Sequence, residues 1–500
     1  MRRLLALGLG CLASFTASSE DLLTIFDQAV VNDPTVREAE FTRKATREAR
    51  PQAWAAYLPQ IGGRWTKSEA DASRRSVEPV LVPTDPANPT TSPLIIQRVG
   101  QNGDSSPEQT QWQLQLTQSI FNWGQLVQLK QAGRISGQAD ADYGTAQQDL
   151  AVRVATRYFD VLAAQDNVQA QQASLDAISR QLEQADKRFE VGLIAITDVQ
   201  EARAARDTAA ADLIAAKRSL ATAQEFLREI TDMQYAVLAT PRATMPLQMP
   251  EPADPQKWVE ASMEQNLALT SSRLGADIAR DDVRVAFGGH LPQVDLVVGK
   301  SHSQTDDTVE FDPVTGQFAG GSAPSSITQD TDKSIALQVT VPIWSSGGTH
   351  SRVKQSEYRW QAAKQRLERV SRETERSSRD AYLGVLSEIS RVQALKQALE
   401  SSATALRATE AGYDVGTRTA VDVLAARQNL VAAQTAYSRS RYDYMLNVLT
   451  LKQAAGILDR KALEDMNGWL ETPPPAANPP TIDPNAQPGS PPPAQPQPQR

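Results

Sequence analysis

The residues that could do chemistry in this chain are few, and most lie in one repeated phrase. The three histidines, His290, His302 and His350, stand far apart in sequence, and no HExxH, Walker A or GxSxG context accompanies them. No paired carboxylates mark an acid–base site. The single cysteine, Cys11, leaves no material for a thiol enzyme or a metal cluster. No enzyme and no cofactor are therefore expected. What remains is a phrase written twice. Residues 189–203 read FEVGLIAITDVQEAR and residues 413–427 read YDVGTRTAVDVLAAR. Their polar groups are Thr197 and Asp198 in the first copy, and Tyr413, Arg418 and Asp422 in the second. Such groups serve hydrogen bonds and local charge rather than bond making. From spacing alone, Arg418 and Asp422 form an ordinary i,i+4 helical pair.

Long elements must position these two turns. Three matches recur in the same order: Tyr57-Leu58-Pro59-Gln60 with His290-Leu291-Pro292-Gln293, then residues 114–121 with 337–344, then the repeated phrase itself. Their offsets are 233, 223 and 224 positions. Collinear matches imply a duplicated unit of roughly 220 residues, longer than any small solenoid repeat. The halves divide as 20–250 and 251–460. Each reads as helix, strand, polar loop, strand and a very long helical tract. Strand alternation is clear near 60–69, 111–119, 293–301 and 333–341; Trp112, Leu114 and Leu116 share one side while Gln and Thr take the other. Residues 70–110 and 301–332, rich in Pro, Gly, Ser, Asn and Asp, read as loops without a core. Helices are expected over 124–190 and 348–414, free of proline; each would run roughly 100 Å at 1.5 Å per residue. Returning Ala-rich helices are expected over 197–231 and 419–455. Small side chains allow close approach, so coiled-coil pairing fits better than a thick globular core.

The ends read differently. Arg2 and Arg3, the apolar run Leu4–Phe15, and Ala17 and Ser19 describe a signal peptide over 1–19, with the mature chain starting near Glu20. A lipoprotein leader ending at Cys11 fits less well, because its apolar core would be short and Gly8 stands where Leu is preferred. Residues 461–500 are assigned to a Pro-rich, unstructured tail. No later apolar run is long enough for a membrane helix. The net charge of −8 lacks the basic footprint of a nucleic-acid binder. An exported chain is thus periplasmic, released, or in the outer membrane as strands. Four strands cannot close a membrane barrel, whose smallest examples have about eight. Either several chains combine, with Trp65 and Trp112 in an aromatic girdle, or the strands form a soluble sheet facing a helical layer.

The motifs VGLIAITDVQ (191–200), LQLTQSIF (114–121), HLP (290–292) and GYDVGTRTAVDVL (412–424) resemble those of the TolC-type outer-membrane channel family, over about Glu20 to Asp459. The resemblance implies an α+β membrane protein in the outer membrane. It would be a homotrimer with a 12-stranded β-barrel, four strands per chain, continued by a periplasmic α-helical barrel of coiled-coil pairs. Such a chain would be the passive exit duct of tripartite efflux pumps or type I protein secretion. Its partners would be a periplasmic adaptor, an inner-membrane RND or ABC transporter, and outer-membrane lipid. The resemblance also assigns residues. Val191, Gly192, Leu193, Val415, Gly416 and Thr417 match adaptor-docking tips, although both glycines equally suit plain helix caps. Asp198 with Tyr413, and Thr197 with Arg418, match links that hold the tips shut. Asp422 matches an acidic selectivity ring, and Ala425 stands where a second acidic ring can occur. The rival expectation is an exported trimeric coiled-coil fibre or adhesin without a channel.

Overall fold

The computed structural model describes residues 20–471, apart from 86, 89, 106, 236, 243 and 312–324. The leader expected at 1–19 lies outside the described residues. Three short helices come first: α1 (Leu22–Asn32), α2 (Pro34–Arg47) and α3 (Ala49–Tyr57). Asp21 caps α1 by accepting from the Thr24 amide at 2.8 Å. Asp33 caps the start of α2 by accepting from the Thr35 and Val36 amides, and Pro34 stands at its first position. Strands β1 (Gln60–Glu69), β2 (Ala72–Pro83), β3 (Leu94–Ser105) and β4 (Glu108–Phe121) follow. Next are α4 (Trp123–Glu190), α5 (Ile196–Thr231), β5 (Thr240–Pro241), α6 (Pro255–Gln265) and α7 (Leu267–Phe287). The second set of long elements is β6 (Gln293–Phe311), β7 (Ser325–Thr340), α8 (Gly348–Asp414) and α9 (Ala420–Ala454), closed by α10 (Arg460–Asn467) and β8 (Leu470–Glu471). Among the described residues no helix is long and apolar enough to cross a membrane.

The duplicated halves are not two spatial bodies. Residues 42–140 and 271–368, one stretch from each half, form one compact unit; the remaining described residues form the other. The first unit holds the large sheet. β1 pairs β4, β4 pairs β6 and β6 pairs β7, all antiparallel. Helices α3, α4, α7 and α8 join this ladder at one end, and the β2–β3 hairpin leaves it at the other. Two expectations need correction there. Residues 70–110 are not a loop: β2 and β3 form a twelve-pair hairpin, and β3 joins the far end of β6 through Gly103–Ser105. Residues 301–332 likewise extend β6 to Phe311 and begin β7 at Ser325, with 312–324 outside the described residues. Cross-strand backbone pairing runs along both stretches. Composition is a poor guide where no core has to be filled. In the same unit α7 is fastened to the start of α4: Arg134 meets the buried Asp281, and Gln131 donates to Asp282 and to the Ile278 carbonyl.

The second unit has the apolar core. Leu22, Ile25, Leu150, Val154, Tyr158, Phe159, Tyr444, Met445 and Leu449 are fully or almost fully buried. Phe159 stacks on Tyr442, whose hydroxyl donates to Asp166 at 2.7 Å. The Tyr158 hydroxyl donates to the Ala239 carbonyl at 2.6 Å. Burial pushes both phenols well above their usual range. The tail assigned to 461–500 also needs correction. Asp459 caps α10 by accepting from the Ala462 amide. Ala462, Leu463, Met466 and Leu470 are buried, and β8 pairs β5. This amphipathic turn of helix has enough apolar surface to dock, which the proline-rich residues beyond it lack; those, 472–500, lie outside the described residues.

Candidate functional site

Both copies of the repeated phrase end a long helix in the same way. The Gly192 amide donates to the Phe189 carbonyl at 2.8 Å, and the Leu193 amide donates to the Arg188 carbonyl at 2.9 Å. The Gly416 amide donates to Tyr413 at 3.0 Å, and the Thr417 amide to Gly412 at 2.8 Å. Each set is a Schellman pair that satisfies the last carbonyls of the helix. Gly192 and Gly416 both have φ +76°, which a side chain with a Cβ resists. No atom lies within 4 Å of where a Cβ would sit at either glycine, so backbone conformation, not crowding, selects glycine. The flanking apolar side chains point outward: Val191 is 70% exposed, Leu193 73% and Val415 75%.

The starts of the returning helices differ. Ala195 precedes α5 and offers no side-chain cap. Instead Ile194 packs with Leu182, Ala185, Val199 and Ala202, a small apolar cluster joining α4 to α5. Ile194 and Val199 stand on either side of the helix start in the positions of a hydrophobic staple. Thr419 precedes α9 and makes a full capping box. The Asp422 amide donates to Thr419 Oγ1 at 3.2 Å, while the Asp422 carboxylate accepts from the Thr419 amide at 2.9 Å. These bonds from Thr419, assisted by the nearby Arg418 charge, hold the Asp422 carboxyl below the usual carboxylate range. Asp422 therefore has a structural duty at the helix start.

The residues expected to form links do not pair in that way within one chain. Among the described residues, no hydrogen bond joins Asp198 to Tyr413 or Thr197 to Arg418. The contact that does join the two copies is made by Arg188. Its guanidinium carbon lies 5.3 Å from the Tyr413 ring centroid, and its Nη2 is 3.7 Å from the Asp414 carboxylate. Sequence reading passed over Arg188, whose counterpart in the second copy is Gly412. The only available signal was an unmatched charge in an otherwise similar phrase. One step behind the turns, Ala202 and Ala205 of α5 face Ala420, Val421 and Leu424 of α9 across a small cleft also lined by Ile178. Small side chains let the two copies meet closely here. Arg427 of α9 then pairs with Glu410 of α8.

Comparison with known proteins agrees with this architecture. The family model for outer membrane efflux protein matches residues 25–231 and 258–457. Outer membrane protein TolC of Vibrio cholerae serotype O1 is 34% identical over 479 residues, covering 94% of this chain and 99% of the relative. The alkaline protease secretion protein AprF of Pseudomonas aeruginosa is 26% identical over 447 residues, covering 89% and 86%. The crystal structure of the Campylobacter jejuni CmeC outer membrane channel superposes with a TM-score of 0.65 at 18% identity, covering 90% of each chain. These relatives are channel and secretion proteins rather than enzymes, and nothing among them favours a fibre or adhesin. The chain belongs to the outer membrane efflux protein family: it is an outer-membrane exit duct of the TolC kind, with strands for the membrane and long helices for the periplasm.

Proposed function

We propose that three copies of this chain assemble into a duct whose periplasmic gate is the pair of helix turns at 191–197 and 413–422. Each copy carries two repeats of one ancestral unit, exported behind a leader at 1–19. An adaptor hairpin docks on Val191, Gly192, Leu193, Val415, Gly416 and Thr417, and an inner-membrane transporter of the RND or ABC class supplies the energy. The cargo is a small molecule in efflux or a polypeptide in type I secretion. The observation that carries this reading is the contrast between the turns. They share one exposed backbone, yet one start is held by apolar packing and the other by a polar capping box.

In this reading the second pair, α8 and α9, moves against α4 and α5 when the gate opens. Arg188, Tyr413 and Asp414 provide a polar contact that such motion would break. Tyr413 with Asp198, and Arg418 with Thr197, complete the closed state once neighbouring copies are in place. Asp422 from three copies forms a single acidic ring; Ala425 leaves no second one. Carboxylates near one axis favour cations and repel anions. The test is planar-bilayer conductance of the detergent-purified protein. The wild type should give a small, cation-selective conductance, and Tyr413→Phe/Arg418→Ser should raise it several-fold. A small conductance left unchanged by the double substitution would remove these residues from the gate.

A further inference from the structure

The ladder of β1, β4, β6 and β7 has one apolar face. Ile61, Leu116, Val298 and Ile335 form a cross-strand row, and nearer the helix end Leu296 pairs Leu337 and Val294 pairs Val339. The opposite face carries Arg64, Gln113, Gln115, Ser301 and Asp332. In a membrane barrel the apolar face meets lipid and the polar face lines the lumen. On the lipid face, one row toward the loop end, the apolar run stops at Gly63, Leu114, Lys300 and Lys333. Trp65, Trp112, His302 and Thr331 make the next row. The lysines thus stand where the apolar band gives way to the aromatic girdle.

Lys300 and Lys333 are direct cross-strand partners. Their Cβ atoms are therefore about 4.5–5.5 Å apart, a spacing at which like charges repel. Among the described residues no carboxylate pairs with either, whereas Lys67, nearer the loop end, is held by Glu108. The Lys300 ammonium lies 5.5 Å from the Trp112 ring centroid, so its chain reaches up toward the girdle. Beside it His302 sits 6.0 Å from the same ring and bonds Thr331 at 2.9 Å. Two ammonium groups with no carboxylate partner among the described residues offer an anion site at the membrane interface, and apolar side chains lead away from them along the barrel wall.

We propose that Lys300 and Lys333, beside Trp112 and His302, bind the phosphate of an acylated lipid in the outer leaflet, with its acyl chains lying over Leu114, Val298 and Ile335. The proposal rests on the outer-membrane placement, with the loop end facing out, and not on the gate. The test is native mass spectrometry of the detergent-extracted protein with added diphosphoryl lipid A. Wild type and Lys300→Arg/Lys333→Arg should retain the lipid equally. Lys300→Gln/Lys333→Gln should lose about tenfold in retention, while Lys67→Gln changes little. Wild type should also retain dephosphorylated lipid A about tenfold less, a comparison that needs no variant to fold. Equal retention of the two lipids by wild type, or displacement by inorganic phosphate as effective as by lipid A, would overturn the proposal. Planar-bilayer conductance of the glutamine variant should match wild type, which separates failure here from failure of the duct.

Discussion

The turns at Gly192 and Gly416 share hydrogen-bond pattern, φ and exposure, yet the helix starts that follow them are secured by opposite kinds of force. At the first, Ile194 and Val199 close an apolar cluster and no side chain caps α5. At the second, Arg418 replaces the isoleucine, and Thr419 with Asp422 caps α9 through hydrogen bonds exposed to water. Apolar packing is lost only when the helices separate. A capping box is local to its own helix and survives whatever its neighbours do. The first turn is therefore fastened to its long helix by apolar contacts, while the second helix start is held within α9 itself.

The comparison can be broken most strongly at Val199, which is 2% exposed. Val199→Asp places a carboxylate in the apolar cluster and should loosen the first turn on the order of 3 kcal/mol. Limited proteolysis should then cut near Leu193 and leave the second turn resistant. Thr419→Ala removes the cap of α9 at about 1 kcal/mol, and hydrogen exchange should quicken only in the first turn of that helix. The reverse substitution sharpens the contrast. Ala195→Thr sets a threonine three residues before Asp198 and should build the missing capping box, slowing exchange at the start of α5 by about 0.5 kcal/mol. Arg188→Ser removes a half-exposed contact of about 0.2–1 kcal/mol. Its rise in conductance should be smaller than that of Tyr413→Phe/Arg418→Ser. Acidification to pH 5 should have the least effect. The folded Asp422 carboxyl is depressed, so its contribution is full above the unfolded value near 3.9 and disappears only as pH falls through the lower folded value. Circular dichroism and exchange at α9 should match those at pH 7.

Much of this was legible in sequence because strong local rules applied. Glycine at the left-handed position, the absence of proline and the strict alternation of Trp112, Leu114 and Leu116 each have one structural meaning. The hairpin of β2 and β3 was hidden for the converse reason. Residues 72–105 carry many Pro, Ser, Asn and Gly and no clear period-two alternation, although the two strands pair over twelve positions. α10 was hidden by its proline-rich surroundings, although Asp459 followed by Leu463 and Met466 was a readable start. Arg188 left only the trace of an unmatched charge, because its partners Tyr413 and Asp414 lie more than 220 positions away and belong to the other repeat. The i,i+4 reading of Arg418 and Asp422 was too simple, because Asp422 turns back to Thr419.

The closing segment of the described chain ties the two ends of the fold together. Arg460 of α10 clasps Asp27, and Asn467 donates to Asp21 at 2.7 Å. Trp469 stacks on Tyr444, and β8 completes a two-stranded sheet with β5. The first helix of the described chain thus has nearly the last one among its neighbours. Leu22 and Ile25, both 0% exposed, share one core with Leu227 and Ile230 of α5 and with Leu463 and Met466 of α10, so a chain stopped before residue 460 lacks one wall of that core. Two segments more than 430 positions apart thus close a single core, which is complete only when residues 460–471 are in place.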